Sequence, residues 1–136
     1  MVKIQLEYQG GLHCAAVHGP SGSTISTDAP VDNNGRGEDF SPTDLVATSL
    51  GACMLTIMGM VADRKNLQIE GAKVEVRKHM AADTPRRISR IEVDMEMPLA
   101  EDHPERTMLE AAARGCPVFH SLHPDIQVDL RWTWNG

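Results

Sequence analysis

A chain of 136 residues, 41% of them hydrophobic, can bury one core and has the length of a single domain, residues 1–136. Its net charge of −6 excludes a general nucleic-acid binder, which needs a basic face. Three cysteines, Cys14, Cys53 and Cys116, are too few and too odd for a secreted disulfide framework and point to a reducing cytoplasm. Residues 1–18 hold no apolar run of signal-peptide length.

Residues 2–8 alternate as Val-Lys-Ile-Gln-Leu-Glu-Tyr, the pattern of a half-buried strand. Gln9-Gly10-Gly11 signals a hairpin turn, and residues 12–18 return as a second strand. Gly19-Pro20-Ser21-Gly22 turns the chain into a third strand at residues 23–28. Residues 29–39 form a polar loop rich in turn formers, a suitable carrier of catalytic groups. It holds Arg36, the one arginine before residue 64. Read alone, Arg36 is an ordinary solvated loop arginine.

The loop feeds a long helix. Ser41 is placed as N-cap, Pro42 suits the first turn, and Asp44 completes an acidic variant of the capping box. Phe40 and Leu45 are spaced for a hydrophobic staple. No formal charge lies between Asp44 and Asp63. Leu45, Leu50, Leu55, Ile57, Met60 and Val61 fall on more than one face, which predicts a helix buried nearly all round. The uncharged run is about the minimum for a membrane span. Thr48, Ser49, Gly51, Thr56 and Gly59 make it only modestly apolar, and the small residues Gly51, Ala52 and Gly59 are more naturally sites of close helix packing in a soluble core. Arg64 and Lys65 suit the helix's negative end, and Asn66 can supply a left-handed cap.

Residues 69–80 and 88–97 alternate as strands, with Pro85 in the connector and a charged, solvated outer face. Asp102-His103-Pro104-Glu105 predicts the start of a second helix with a capping box, ended by Gly115. Pro117 places Cys116 at the N-cap of a short third helix, and residues 126–134 close the chain as a strand. Strands, long helix, strands, helices and strand in that order give an α+β class, with antiparallel sheets packed on a long buried central helix.

Cysteine is the chemistry-bearing residue. Cys53, inside an apolar helix, is equally a small buried hydrophobe, and burial alone would leave it inert. A reactive Cys53 needs a cation or donor from elsewhere in the fold. Cys116 at a helix N-terminus has free N–H groups nearby that favour a thiolate. Cys14 lies in a strand and reads as structural. Six histidines accompany the cysteines, but no Cys-x-x-Cys or helical His pair is present, and His120 and His123 are followed by Pro124. No phosphate-binding glycine loop or dinucleotide fingerprint occurs. Neither a metal nor a cofactor is expected.

Ser41-Pro42-Thr43-Asp44-Leu45, then Gly51-Ala52-Cys53, then Cys116-Pro117-Val118, resemble the OsmC/Ohr family (osmotically inducible protein C and organic hydroperoxide resistance protein). The likeness spans nearly the whole chain. It implies an intertwined homodimer and thiol peroxidase chemistry on organic hydroperoxides. Cys53 then matches the peroxidatic cysteine and Cys116 the resolving one, joined as a redox-active disulfide after turnover. A dithiol or a lipoylated protein would be the reductant. Two departures stand out. Thr43 replaces the glutamate that follows the helix-starting proline in the best-known members, with Glu38, Asp39 or Asp44 as substitutes. The early strands hold His13 and His18 rather than an arginine, which leaves Arg36 as the candidate activator. A non-enzymatic ligand binder or thiol redox sensor on the same fold is the alternative.

Overall fold

In the computed structural model, which describes all residues Met1–Gly136, the strands and helices follow the expected order. The chain divides into two compact units, Met1–Val46 and Ala47–Gly136. The first holds β1 (Ile4–Tyr8), β2 (His13–His18) and β3 (Thr24–Asp28), an antiparallel sheet in the order β1-β2-β3. Register pairs Leu6 with Ala16 and Ala16 with Ile25, so Ile4, Leu6, Tyr8, Cys14, Ala16 and Ile25 share one face. Ile4, Leu6, Tyr8 and Ile25 are each more than half exposed, so β1 is open rather than half-buried as its alternation predicts. A single three-stranded sheet cannot cover its own apolar side.

The long helix α1 (Pro42–Arg64) begins as its sequence dictates. The Ser41 N–H donates to Asp44 Oδ2 at 2.9 Å, and the Asp44 N–H donates to Ser41 Oγ at 3.1 Å. Two orphan donors of the first turn are thereby satisfied. Phe40 stays 52% exposed, so no tight staple forms. The helix ends in a Schellman arrangement around Asn66, whose φ is 53°. The Leu67 N–H reaches Ala62 O at 2.9 Å, and the Asn66 N–H reaches Asp63 O at 3.3 Å.

The second unit is a helix-on-sheet layer. β4 (Lys73–Met80), β5 (Ile88–Met97) and β6 (Gln127–Trp134) form a sheet in the order β4-β5-β6. β4 and β5 are antiparallel, and β6 lies parallel to β5. α2 (Arg106–Arg114) and α3 (Pro117–Ser121) form the crossover that a parallel pair requires. β4 starts later than its alternation predicts, because Ile69–Ala72 closes a turn first, with Gly71 at φ 89°. α2 also starts later than its sequence predicts. The Asp102 capping box does not form: the Glu105 N–H is taken by His103 Nδ1 at 3.1 Å, and Glu105 caps without a side-chain bond.

Ala47, Leu50, Met54, Met58 and Ala62 of α1 are buried at 3.6-residue spacing. Most of this stripe packs with Ile91, Val93, Met95 and Met97 of β5 and with Leu109 and Ala113 of α2. Thr48, Ala52, Thr56 and Met60 on the other side of α1 are exposed, so the helix is buried on one face, not all round. Backbone spacing sets this: a single sheet covers a single stripe of a helix. By length and composition α1 could cross a membrane, yet its buried stripe fills this core. Gly51 permits the closest approach, since a Cβ there would lie 2.9 Å from Val76 Cγ2 and 3.3 Å from Val74 Cγ1.

The outer face of this sheet is ion-paired rather than merely solvated. Glu92, at the centre of β5, accepts from His79 Nε2 at 2.6 Å, Arg131 at 3.0 Å, Arg77 Nε at 3.3 Å and Arg90 at 3.4 Å. Its side chain is 13% exposed. Asp94, two residues on, accepts from Arg77 and Arg131.

Candidate functional site

The rotation of α1 places Cys53. Leu50 and Met54 are fully buried in the stripe facing β5. At 100° per residue Cys53 therefore falls at the border of that stripe, partly exposed and packed against the core.

Cys116 is placed by the junction of α2 and α3. The Gly115 N–H closes α2 on Ala111 O at 3.0 Å, and the Cys116 N–H follows on Ala113 O at 3.3 Å. Cys116 then takes extended backbone angles, φ −69° and ψ 145°, and Pro117 starts α3 with its ring in place of a donor. The Phe119 N–H donates to Cys116 Sγ at 3.3 Å, which makes the sulfur itself the cap. The side chain is entirely buried in the core.

The two thiols are neighbours: the Cys53 side chain is among the groups that act on the Cys116 thiol. Both are free thiols. Burial pushes the Cys116 thiol above its ordinary pKa, and the adjoining Cys53 sulfur adds to the rise. The Phe119 and Val118 N–H groups oppose it without winning. The helix N-terminus therefore does not make Cys116 the thiolate, as its local sequence implies; desolvation of the fully buried sulfur outweighs a few N–H dipoles. Burial thus favours the protonated Cys116 thiol beside Cys53, a pairing sequence spacing alone does not reveal.

Arg36 belongs to the first unit. It is exposed, makes no ion pair, and lays its guanidinium against the β1–β2 turn, where Gly11 leaves room for it. The same unit buries Asp28, whose carboxylate contacts His13 Nδ1 at 2.6 Å. Cys14 is a half-buried free thiol on β2. Thr43, at the position of the missing glutamate, shares a 3.3 Å hydroxyl contact with Ser41. No cluster of three or more histidine, cysteine or acidic side chains could hold a metal ion.

Residues 35–131 match the family model described as OsmC-like protein. No curated protein matches. A solved protein from Psychrobacter arcticus 273-4, named for osmotic stress induction and a detoxification response, is 44% identical. The match covers 98% of this chain and 96% of that one with a TM-score of 0.92. An OsmC like protein from Mycoplasma pneumoniae is 16% identical over 100% of this chain and 98% of its own, with a TM-score of 0.81. The organic hydroperoxide resistance protein OsmC from Legionella pneumophila is 16% identical over 98% and 96%, with a TM-score of 0.77. At such low identity the last two speak to the fold.

Proposed function

Because this chain belongs to the OsmC-like family, we propose that it is a thiol peroxidase that reduces organic hydroperoxides, with Cys53 as nucleophile and Cys116 as resolving thiol. The observation that carries the reading is the juxtaposition of the two thiols. Their unequal burial supports the roles. Cys53 is partly exposed and can meet a substrate; Cys116 is fully buried and is kept protonated by that burial.

In the first step the Cys53 thiolate attacks the distal oxygen of R–O–O–H. The O–O bond breaks, the alkoxide leaves and takes a proton as the alcohol, and Cys53 becomes a sulfenic acid. Cys116 then attacks that sulfur, expels water and forms the Cys53–Cys116 disulfide. A dithiol or lipoylated protein returns both thiols by exchange. Arg36 is the proposed activator, since a guanidinium can donate to thiolate and peroxide together. Ile57, half-buried one turn beyond Cys53 on α1, favours alkyl-bearing substrates over hydrogen peroxide.

The functional species is a homodimer in this reading. The apolar side of the first sheet, with Ile4, Leu6, Tyr8 and Ile25 open, supports it, since patches of that kind mark association surfaces. Steady-state turnover of cumene hydroperoxide with dithiothreitol tests the function. We expect kcat/KM at least about tenfold above that for hydrogen peroxide, abolished by Cys53→Ser and reduced by Arg36→Ala. Full turnover in Cys53→Ser would contradict it.

A further inference from the structure

We infer that Gly11 is a positioning residue: it builds the seat on which the Arg36 guanidinium rests. The inference rests on the proposed role of Arg36 for its functional weight, and on geometry for its substance.

A Cβ at position 11 would lie 2.8 Å from Arg36 Nη2, 3.3 Å from Cζ and 3.6 Å from Nε. The guanidinium therefore lies over the bare α-carbon of Gly11, in space that any other residue would occupy. The turn beneath it is unusual. Gly10, Gly11 and Leu12 all have positive φ, at 84°, 60° and 61°. A left-handed leucine is strained and persists only where its surroundings impose it.

Those surroundings are the loop that carries Arg36. The Ala29 N–H donates to Leu12 O at 3.1 Å, which ties the loop's start to the turn. The Gly35 N–H reaches Pro30 O at 2.9 Å and the Gly37 N–H reaches Ala29 O at 3.3 Å, folding the loop back on itself around Arg36. Position 35 has no room for a side chain, since a Cβ would fall 1.7 Å from Ala29 O. The Asp28 N–H closes the far end on Phe40 O at 3.1 Å. Backbone bonds thus fix where Arg36 leaves the loop, and the bare α-carbon of Gly11 leaves the room its guanidinium takes. With no ion pair of its own, that group keeps its donors for a bound anion.

Gly10 provides the control. It shares the left-handed backbone of Gly11, but a Cβ there meets nothing within 4 Å. Gly11→Ala and Gly10→Ala therefore impose the same kind of backbone strain, and only the first displaces Arg36. The experiment is 15N relaxation of the Arg36 Nε–H group in the full chain, assigned by its loss in Arg36→Lys. In the unmutated protein the group should be ordered, above ~0.6 in squared order parameter. Gly11→Ala should drop it below that value and Gly10→Ala should not. A mobile Arg36 in the unmutated protein overturns the inference without any variant needing to fold, and so does an equal response to both substitutions.

A second arm reads function. Cumene hydroperoxide kcat/KM should fall in Gly11→Ala, by up to the loss seen in Arg36→Ala, and Gly11→Ala should add nothing in the Arg36→Ala background. If Arg36→Ala leaves kcat/KM in place, the activator role fails while the seat is judged on the relaxation data.

Discussion

Cys53 and Cys116 are side-chain neighbours although one sits in mid-helix and the other caps a five-residue helix. The contact makes the two thiols unequal. Iodoacetamide should label Cys53 at least about tenfold faster than Cys116 at neutral pH, because only thiolates react and only Cys53 is reachable. Peptide mapping after partial labelling checks this, and equal rates would remove the physical basis for the assigned roles.

Cys116→Ser should leave the first reduction of hydroperoxide intact and remove the sulfur that captures the sulfenic acid. Excess oxidant then drives Cys53 to sulfinic and sulfonic acid, with loss of turnover. Mass spectrometry would show two or three added oxygens on the Cys53 peptide in the variant and disulfide in the parent.

How much of this was legible in the sequence depends on the range of the interaction. The Ser41–Asp44 cap, the Asn66 stop and the Cys116-Pro117 helix start are local, set by a few residues' own hydrogen-bonding groups, and each forms as its motif implies. The Asp102 motif failed because His103, two residues before Glu105, offered that residue's N–H a nearer acceptor. The parallel placement of β6, the one-sided burial of α1 and the charge network around Glu92 depend on which strands become neighbours, and alternation does not encode that. The family resemblance supplied the pairing of Cys53 with Cys116; its physical sense, with burial overriding the helix N-terminus, came only from the packing. Arg36 was found as the lone early arginine, but its rest on Gly11 joins two loops that no local pattern connects.

Gly51→Ala tests the tightest helix–sheet contact. The alanine methyl would lie 2.9 Å from Val76 Cγ2, inside normal contact. Overpacking costs about 1–3 kcal/mol, against a helix-propensity gain of about 1 kcal/mol from replacing glycine. Denaturant unfolding should show a net loss of stability.

His13→Ala removes the ring facing the buried Asp28 carboxylate. An unsatisfied buried acceptor costs about 1–3 kcal/mol. Adding Asp28→Asn should recover part of that loss, because the neutral amide is cheaper to bury, and a double-mutant unfolding cycle measures the recovery.

Acid stability follows from the network on the second sheet. His79 chiefly, then Arg77, holds the Glu92 carboxyl below its ordinary range; Arg77 does the same for Asp94, and Gln127 and Arg90 for Asp129. Folded-state values below the unfolded ones mean that the stabilisation is complete above the ordinary carboxylate range, about pH 4, and is lost as pH falls through the lowered values. Glu92→Gln should flatten that decline, and it should lower the neutral-pH Tm more than Glu75→Gln, because Glu75 is 72% exposed and Glu92 13%.

Intact mass after one equivalent of cumene hydroperoxide on the fully reduced protein, beside Cys53→Ser and Cys116→Ser, tests the proposed disulfide chemistry. Rapid loss of two hydrogens is expected in the parent and in neither variant, with the new bond mapped to Cys53 and Cys116. An unchanged mass after minutes, or the same loss in Cys53→Ser, would contradict it.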